Sequence, residues 1–311
     1  MNQDLPLVSV IMNAYNAELY ISEAIKSVLN QTYKNWELIV WDNQSEDSTS
    51  QIVNSFNDDR IKYNLSTNFT PLGEARNLAI LQSKGSLIAF LDSDDIWLED
   101  KLEEQVPLFS SKNVGIVISD SIFFNAKEKS YQIYKDKKPP TGFIFKQLFP
   151  KYFISLETAI VRRVALDCQD HLFDKRFNMV EEYDLFVRIS MDWELDYVDK
   201  VLAKWRVHED SWTWSKEKEF PKEKRLMLEK YISTIPNFEL DYPDEILTFK
   251  RGFSLDEALI DWKEGNNRSA RKLLKVYILD GPKWFVLYLL TFFPISIYEI
   301  IQKVRGSVRP E

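Results

Sequence analysis

Residues 7–42 read LVSVIMNAYNAELYISEAIKSVLNQTYKNWELIVWD, and the fold turns on how this stretch is read. LVSVIM (7–12) is β-branched and stops at the polar run NAYN (13–16), the pattern of a buried strand. From Glu18, the apolar positions Leu19, Ile21, Ala24, Ile25, Val28 and Leu29 recur at helical spacing, which predicts a helix. WELIVW (36–41) predicts a second strand that ends at Asp42.

The same unit repeats downstream. A short helix over 49–56 leads to a weak strand at IKYN (61–64), and GEARNLAILQSK (73–84) is helical. SLIAFL (86–91) is a strand that stops at DSDD (92–95). LEDKLEEQVPLF (98–109) is helical as far as Pro107, and VGIVISD (114–120) is again a strand. Alternation at these lengths predicts an α/β fold: a mostly parallel central sheet with helices on both faces. Ligands of such sheets bind beyond the carboxyl ends of the strands. NAYN, WDNQSED (41–47) and DSDD are therefore expected on one edge, which defines a site from topology alone. Further on, 121–150 reads as an irregular excursion with a Pro-Pro pair at 139–140. ETAIVRR (157–163) reads as a strand, EEYDLFVRISMDW (181–193) as a helix, VDKVLAKWRVHE (198–209) as β, and 222–311 as mostly helical.

Composition excludes several classes. A net charge of -8 argues against a general nucleic-acid binder. Cys168 is the single cysteine, so no internal disulfide forms and a reducing, intracellular setting fits. The N-terminal MNQDLPLVSVIMNAY lacks the basic and apolar regions of a secretion signal, so a cytoplasm-facing protein is expected. GxGxxG, GxxxxGK[ST] and GxSxG are all absent, which argues against a dinucleotide dehydrogenase, a P-loop kinase and a serine hydrolase. With 2 His in the chain, a His-rich zinc site is excluded.

Asp92, Asp94 and Asp95 crowd three carboxylates into four positions. One reading is a strand-to-helix turn in which Asp95 or Ser93 caps the next helix. The other is an Asp-x-Asp site for a hard divalent cation, Mg²⁺ or Mn²⁺, completed by water and substrate phosphate. Context favours the cation. Asp42 ends a neighbouring strand, Arg76 lies on the helix before the DSDD strand, and Glu181-Glu182-x-Asp184 opens a later helix. Acidic residues in a first turn also answer the helix dipole, so that cluster has a second explanation.

Residues 8–49, then GEARNLAI (73–80) and GSLIAFLDSDDIW (85–97), resemble glycosyltransferase family two, inverting enzymes with the GT-A fold. The likeness continues through TAIVRR, LFD (172–174) and EEYDLFVRIS to WRVH (205–208), covering about residues 6–210. It implies a GT-A domain over 1–220, with a nucleotide-sugar half over about 1–120 and an acceptor half over about 121–220, while 221–311, read as a helical extension from its own pattern, lies outside the likeness. It also implies a metal-dependent transfer of a sugar from a nucleotide-sugar donor to a hydroxyl of a glycan or lipid-linked oligosaccharide. UDP leads as the nucleotide, ahead of dTDP and GDP.

Position by position, the resemblance implies that Ala14, Tyr15, Asn16, Glu18 and Asp42 line the nucleoside pocket. Arg76 would lie beside the diphosphate, Asp92 with Ser93 near the ribose, and Asp94 on the Mn²⁺ or Mg²⁺. Glu182 occupies the place of the catalytic base, with Glu181 and Asp184 as the alternatives. Arg206, His208 and Trp212 would approach the diphosphate or the acceptor. Two departures stand out. Asp42-Asn43-Gln44-Ser45 replaces the usual Asp-Asp-Gly-Ser, and Glu182 stands where Asp is usual. Two readings from other classes remain beside this one: a nucleotidyltransferase making the sugar nucleotide, and a non-catalytic nucleotide-sugar or carbohydrate binder.

The C-terminal WFVLYLLTFFPISIYEII (284–301) is apolar, aromatic and interrupted by Pro294, Ser296 and Glu299. From residue 283 onward four cations face two carboxylates. Attachment of 283–305 to a membrane surface, on the inner face of the cell membrane, is expected ahead of a buried helix or a span.

Overall fold

The computed structural model describes residues 5–125, 130–208 and 216–304. The chain divides into two compact units, Met1–Leu148 with Phe153–His208, and Phe149–Tyr152 with Glu209–Glu311. The expected α/β architecture is that of the first unit. Among the described residues its sheet has nine strands: β1 Val8–Ala14, β2 Trp36–Asp42, β3 Ile61–Leu65, β4 Leu87–Phe90, β5 Ile96–Trp97, β6 Val114–Asn125, β7 Ser130–Gln132, β8 Ile160–Arg162 and β9 Glu194–Val207. They lie in the order β3-β2-β1-β4-β8-β6-β9-β5, with β7 on β6.

β3, β2, β1 and β4 run parallel, as do β6 and β9. β8 is antiparallel to both β4 and β6, and β5 is antiparallel to β9. β1 and β2 are buried almost throughout because helices cover both faces of the sheet. On one face Val8, Val10 and Met12 meet α1 (Ile21–Leu29) through Ile21, Ala24, Ile25 and Val28. On the other, Phe90 packs edge-on against Phe173 and Phe186, with ring centres 5.7 and 6.3 Å away. Phe186 belongs to α7 (Glu181–Asp192), which with α3 (Leu72–Leu81) carries the polar groups of the site. The intervening short helices are α2 (Thr49–Asn54), α4 (Lys101–Gln105), α5 (Phe145–Leu148) and α6 (Arg163–Asp167).

Register sets the shared edge. Ala14 pairs with Asp42 across β1 and β2, and the Leu91 N–H donates to the Ile11 carbonyl at 3.1 Å. The three polar strand ends therefore emerge side by side.

Local boundaries differ from the sequence pattern where tertiary contacts override it. α1 starts at Ile21, leaving Leu19 76% exposed in the preceding turn. β6 runs on to Asn125, through part of the expected excursion, because β9 pairs along its whole length. Within 157–163 only Ile160–Arg162 is strand, flanked by a 3₁₀ turn at Leu156–Thr158 and by α6.

The second unit is helical, as expected: α8 Glu219–Thr234, α9 Phe238–Asp241, α10 Pro243–Lys263, α11 Asn267–Lys275, α12 Pro282–Leu290 and α13 Ile295–Val304. Phe149, Tyr231, Phe238 and Phe249 form its aromatic core, and Ala258, Trp262, Ala270, Leu274 and Leu287 form a second cluster.

At the opposite edge of the sheet, the Ser9 hydroxyl donates to Glu37 at 2.6 Å and accepts the Gly85 N–H at 2.7 Å. A Cβ on Gly85 would lie 2.6 Å from the Leu7 carbonyl oxygen and from the Ser9 nitrogen, both backbone atoms with little room to shift. Gly85→Ala is expected to cost about 1–3 kcal/mol of stability, seen as a lower urea midpoint with unchanged slope.

Candidate active site

The site is built around the turn that follows β4. Asp92 leaves the strand, and its carboxylate accepts Arg76 Nη2 at 3.1 Å. Arg76, on α3, is 3% exposed, and its Nη1 donates to Glu181 Oε1 at 2.6 Å. Glu182 Oε2 lies 3.9 Å from the same nitrogen. One guanidinium thus joins the DSDD turn to the first turn of α7. Burial works against its charge, but Asp92, Glu181 and Glu182 outweigh that and hold it above its usual pKa. Arg76, expected beside a diphosphate, has both Nη groups on protein carboxylates.

The first turn of α7 separates its three acids. Glu181 is buried against Arg76. Asp184 is fully buried and accepts Arg188 Nε at 3.0 Å, while Arg188 also donates to the carbonyls of His171 and Leu172. Glu182 keeps 23% of its side chain exposed, more than either neighbour. Asp174 and His171 approach Asp184 closely enough to form a potential metal cluster. Arg176 and Arg188 already neutralise those two carboxylates, so the cluster is a poor cation host.

Asp94 and Asp95 diverge. Asp94 is 30% exposed at the side chain, and its Oδ2 sits 2.8 Å from His208 Nε2. Asp95 is 1% exposed and accepts the backbone N–H of Arg206 at 2.8 Å. It caps no helix: α4 begins only at Lys101, after Asp100. Burial, then the charges of Asp94, Glu157 and Asp92, push the Asp95 carboxyl well above the usual range. Arg206 Nε donates to the Asp94 carbonyl at 2.9 Å, its guanidinium lies 4.6 and 4.7 Å from the ring centres of Tyr20 and Phe124, and Nη2 reaches Glu23 at 2.5 Å. Arg206 is thereby a clamp on the turn. Ser93 is half-buried within it. Trp212 lies outside the described residues.

The neighbouring strand ends are interlocked. Asp42 is fully buried, its Oδ1 accepting the Ser45 N–H at 2.8 Å and its Oδ2 the Tyr63 hydroxyl at 2.7 Å. Burial and that carboxylate raise the Tyr63 phenol to about 12. Gln44 takes the left-handed backbone (φ +72°) where the resembling family has Gly. Its side chain donates to the Ser66 carbonyl, which anchors the strained turn. Asn16, also left-handed at φ +48°, exchanges hydrogen bonds with Ser45 and Glu46, and Glu18 accepts the Ser48 N–H at 3.0 Å. Ala14 is buried beneath, and Tyr15 is 50% exposed with Phe69 edge-on at 5.0 Å.

Below the turn lies a polar layer that the sequence did not reveal. Lys101 is fully buried, donating to the Thr158 carbonyl at 2.9 Å and to Gln105, with its Nζ 4.8 Å from the Trp97 ring centre. Burial lowers its pKa to about 7, opposed by the charge of Glu157.

A family model for Glycosyl transferase family 2 matches residues 9–169, just over half of the chain. The glucosyltransferase WfgD of Escherichia coli, named for transfer from UDP-Glc to alpha-D-GlcNAc-diphosphoundecaprenol, is 35% identical over 221 residues, 70% of this chain and 83% of its own. TuaG of Bacillus subtilis, a putative teichuronic acid biosynthesis glycosyltransferase, is 40% identical over 110 residues, 35% of this chain and 44% of its own. Among solved structures, S. aureus TarS 1-349 in complex with UDP-GlcNAc has a TM-score of 0.61 at 20% identity, covering 91% of this chain and 90% of that one. PcManGT from Pyrobaculum calidifontis, solved with GDP-Man and Mn²⁺, has a TM-score of 0.63 at 17% identity, covering 99% and 82%. The chain spans half of the longer TarS structure. These two structures bear out the expected GT-A architecture with its helical C-terminal part. The chain belongs to glycosyl transferase family 2 and is a glycosyltransferase, so the nucleotidyltransferase reading falls away.

The buried amine gives a pH signature. Folded Lys101 titrates at about 7, the unfolded side chain at about 10.4. Between these values the unfolded chain binds the extra proton, so Lys101 makes stability rise with pH, by at most about 1.4 kcal/mol per unit. Lys101→Met is expected to flatten that slope in urea unfolding at pH 7, 8 and 9; a slope equal to wild type would refute it.

Proposed function

We propose that this enzyme transfers a sugar, with inversion and with a divalent metal, from a UDP-sugar to a hydroxyl of a lipid-linked glycan. The observation that carries the reading is the span of Arg76, which reaches Asp92 at 3.1 Å and Glu182 at 3.9 Å. A carboxylate of the donor side and the base are thus held on either side of one fixed cation.

Glu182 is the base: partly exposed, it accepts the proton of the acceptor hydroxyl as that oxygen attacks the anomeric carbon. The bond from that carbon to the nucleoside diphosphate breaks on the opposite face, which inverts the configuration. Arg76 pairs with Asp92 and Glu181 and so fixes the distance between turn and helix. Ala14, Tyr15, Asn16, Glu18 and Asp42 bound the nucleoside, with Ser93 beside Asp92 near the ribose. Arg206 and Trp212 serve the diphosphate and acceptor side.

Asp94 is the group for Mn²⁺ or Mg²⁺: its carboxylate oxygen suits a hard cation and is partly exposed at the strand edge, and His208 Nε2, 2.8 Å away, could join it on Mn²⁺. A bound cation there would neutralise charge on the departing diphosphate. The Mn²⁺ in the PcManGT complex supports that choice. The UDP-Glc and diphosphoundecaprenol-linked substrate in the name of WfgD support UDP and a lipid-linked acceptor, which this reading places on the inner face of the cell membrane, within reach of a cytoplasmic enzyme.

Glu182→Gln is expected to lower turnover roughly 100- to 10,000-fold with UDP binding retained in a thermal-shift assay. His208→Ala is expected to raise the Mn²⁺ concentration for half-maximal activity roughly 10- to 100-fold. Activity undiminished by EDTA would remove the metal from the scheme, and full activity in Glu182→Gln would remove the base.

A further inference from the structure

The C-terminal unit carries an apolar surface that this chemistry does not use. α12 packs inward through Leu287, with Trp284 and Tyr288 beside it, against the Trp262 cluster. Its opposite face presents Phe285, Val286 and Leu289, which are 49%, 51% and 43% exposed. The turn into α13 exposes Phe292 and Phe293 at 55% and 52%. Ile297 and Ile300 continue the stripe along α13. An exposed stripe of this extent marks an interaction surface.

The turn is built to leave water. Trp262 Nε1 donates to the Phe293 carbonyl at 2.9 Å, and Asn267 Nδ2 to the Thr291 carbonyl at 2.9 Å. Arg271 Nη1 reaches the same Thr291 oxygen at 3.0 Å, and its guanidinium lies 4.5 Å from the centre of the Phe292 ring. Carbonyls at and just past a helix C-terminus lack an intrahelical partner and must find one in a side chain, a tightened turn or water. Here side chains satisfy the Thr291 and Phe293 carbonyls, which lowers the cost of taking this turn out of water.

The charge beside it is one-sided. α11 carries Arg268, Arg271, Lys272 and Lys275 with no carboxylate, and Lys283 opens α12. Arg251 neutralises Asp280 at 2.8 Å, while Glu299 is the exposed acid on the hairpin. α12 and α13 have 9 and 10 residues, short of the roughly 20 that cross a bilayer. No helix of the described residues is long and apolar enough to cross a membrane.

We infer that the α12–α13 hairpin is a one-leaflet anchor for an anionic bilayer, with Phe285, Val286, Leu289, Phe292 and Phe293 among the acyl chains. Lys272, Lys275 and Lys283 meet the lipid phosphates. The anchor deepens the proposed reaction with a lipid-borne acceptor, and its test needs no turnover.

The test is flotation of the full chain with vesicles of phosphatidylcholine alone or mixed with phosphatidylglycerol. Wild type is expected to float with the anionic vesicles, and less so at high salt. Phe292→Ser/Phe293→Ser is expected to weaken that binding roughly tenfold or more. Lys272→Glu/Lys275→Glu is expected to weaken it roughly fivefold or more per position at low salt. If the serine variant fails to fold, the charge-reversed variant decides alone. Wild type that stays off anionic vesicles, or variants that float equally well, would overturn the anchor. A dimer in ultracentrifugation that the serine variant breaks would also overturn it, assigning the face to a second copy. Release of UDP from donor without acceptor, assayed in the same preparations, tests the catalytic reading separately.

Discussion

Arg76 is a permanent charge with 3% exposure, and the geometry of the catalytic edge depends on how that charge is balanced. Removing a guanidinium from water costs several kcal/mol unless carboxylates meet it at hydrogen-bonding distance. Asp92 and Glu181 do so, from elements 105 residues apart in one case and 16 in the other. The consequence is mechanical as well as electrostatic. The turn after β4 and the start of α7 cannot separate without stranding a buried charge, so Glu182 is held at a fixed remove from Asp92.

A second set of bonds fixes the other side of the turn. β5 pairs antiparallel to β9, which carries Arg206 and His208 back past Asp94 and Asp95. Asp95 is spent on the backbone of Arg206, and Arg206 is wedged between Tyr20 and Phe124. Asp94 therefore keeps a partly exposed carboxylate with an imidazole at its side, while Asp95 is buried. The crowding that the sequence displays is resolved by giving each carboxylate a different partner: an arginine, a histidine and a backbone amide.

Much of this edge was legible in advance. Hydrophobic runs ending at Met12, Trp41 and Leu91 reported strand ends, and parallel alternation put those ends together. The acidic opening of α7 was visible as a group, but its members looked equivalent. The structure separates them because a helix turns about 100° per residue, so Glu181, Glu182 and Asp184 meet different neighbours. The Asp94–His208 contact spans 114 positions, and no periodicity reports such a pair. Lys101 and Glu157 were hidden for a different reason: single polar residues inside amphipathic stretches read as solvent-facing until burial is known.

The sequence by itself determined the strand–helix alternation, the edge where the polar strand ends gather, and the apolar, basic-flanked character of the C-terminus. These follow from local periodicity and composition, which every segment carries within itself. Only the tertiary structure decided which carboxylates Arg76 holds, which Asp of the run is buried, and which side of α12 stays uncovered. Those depend on sheet order, on the antiparallel insertion of β8 and β5, and on packing between helices far apart in the chain. Burial converts a residue's type into a role, and burial is a property of the assembled fold.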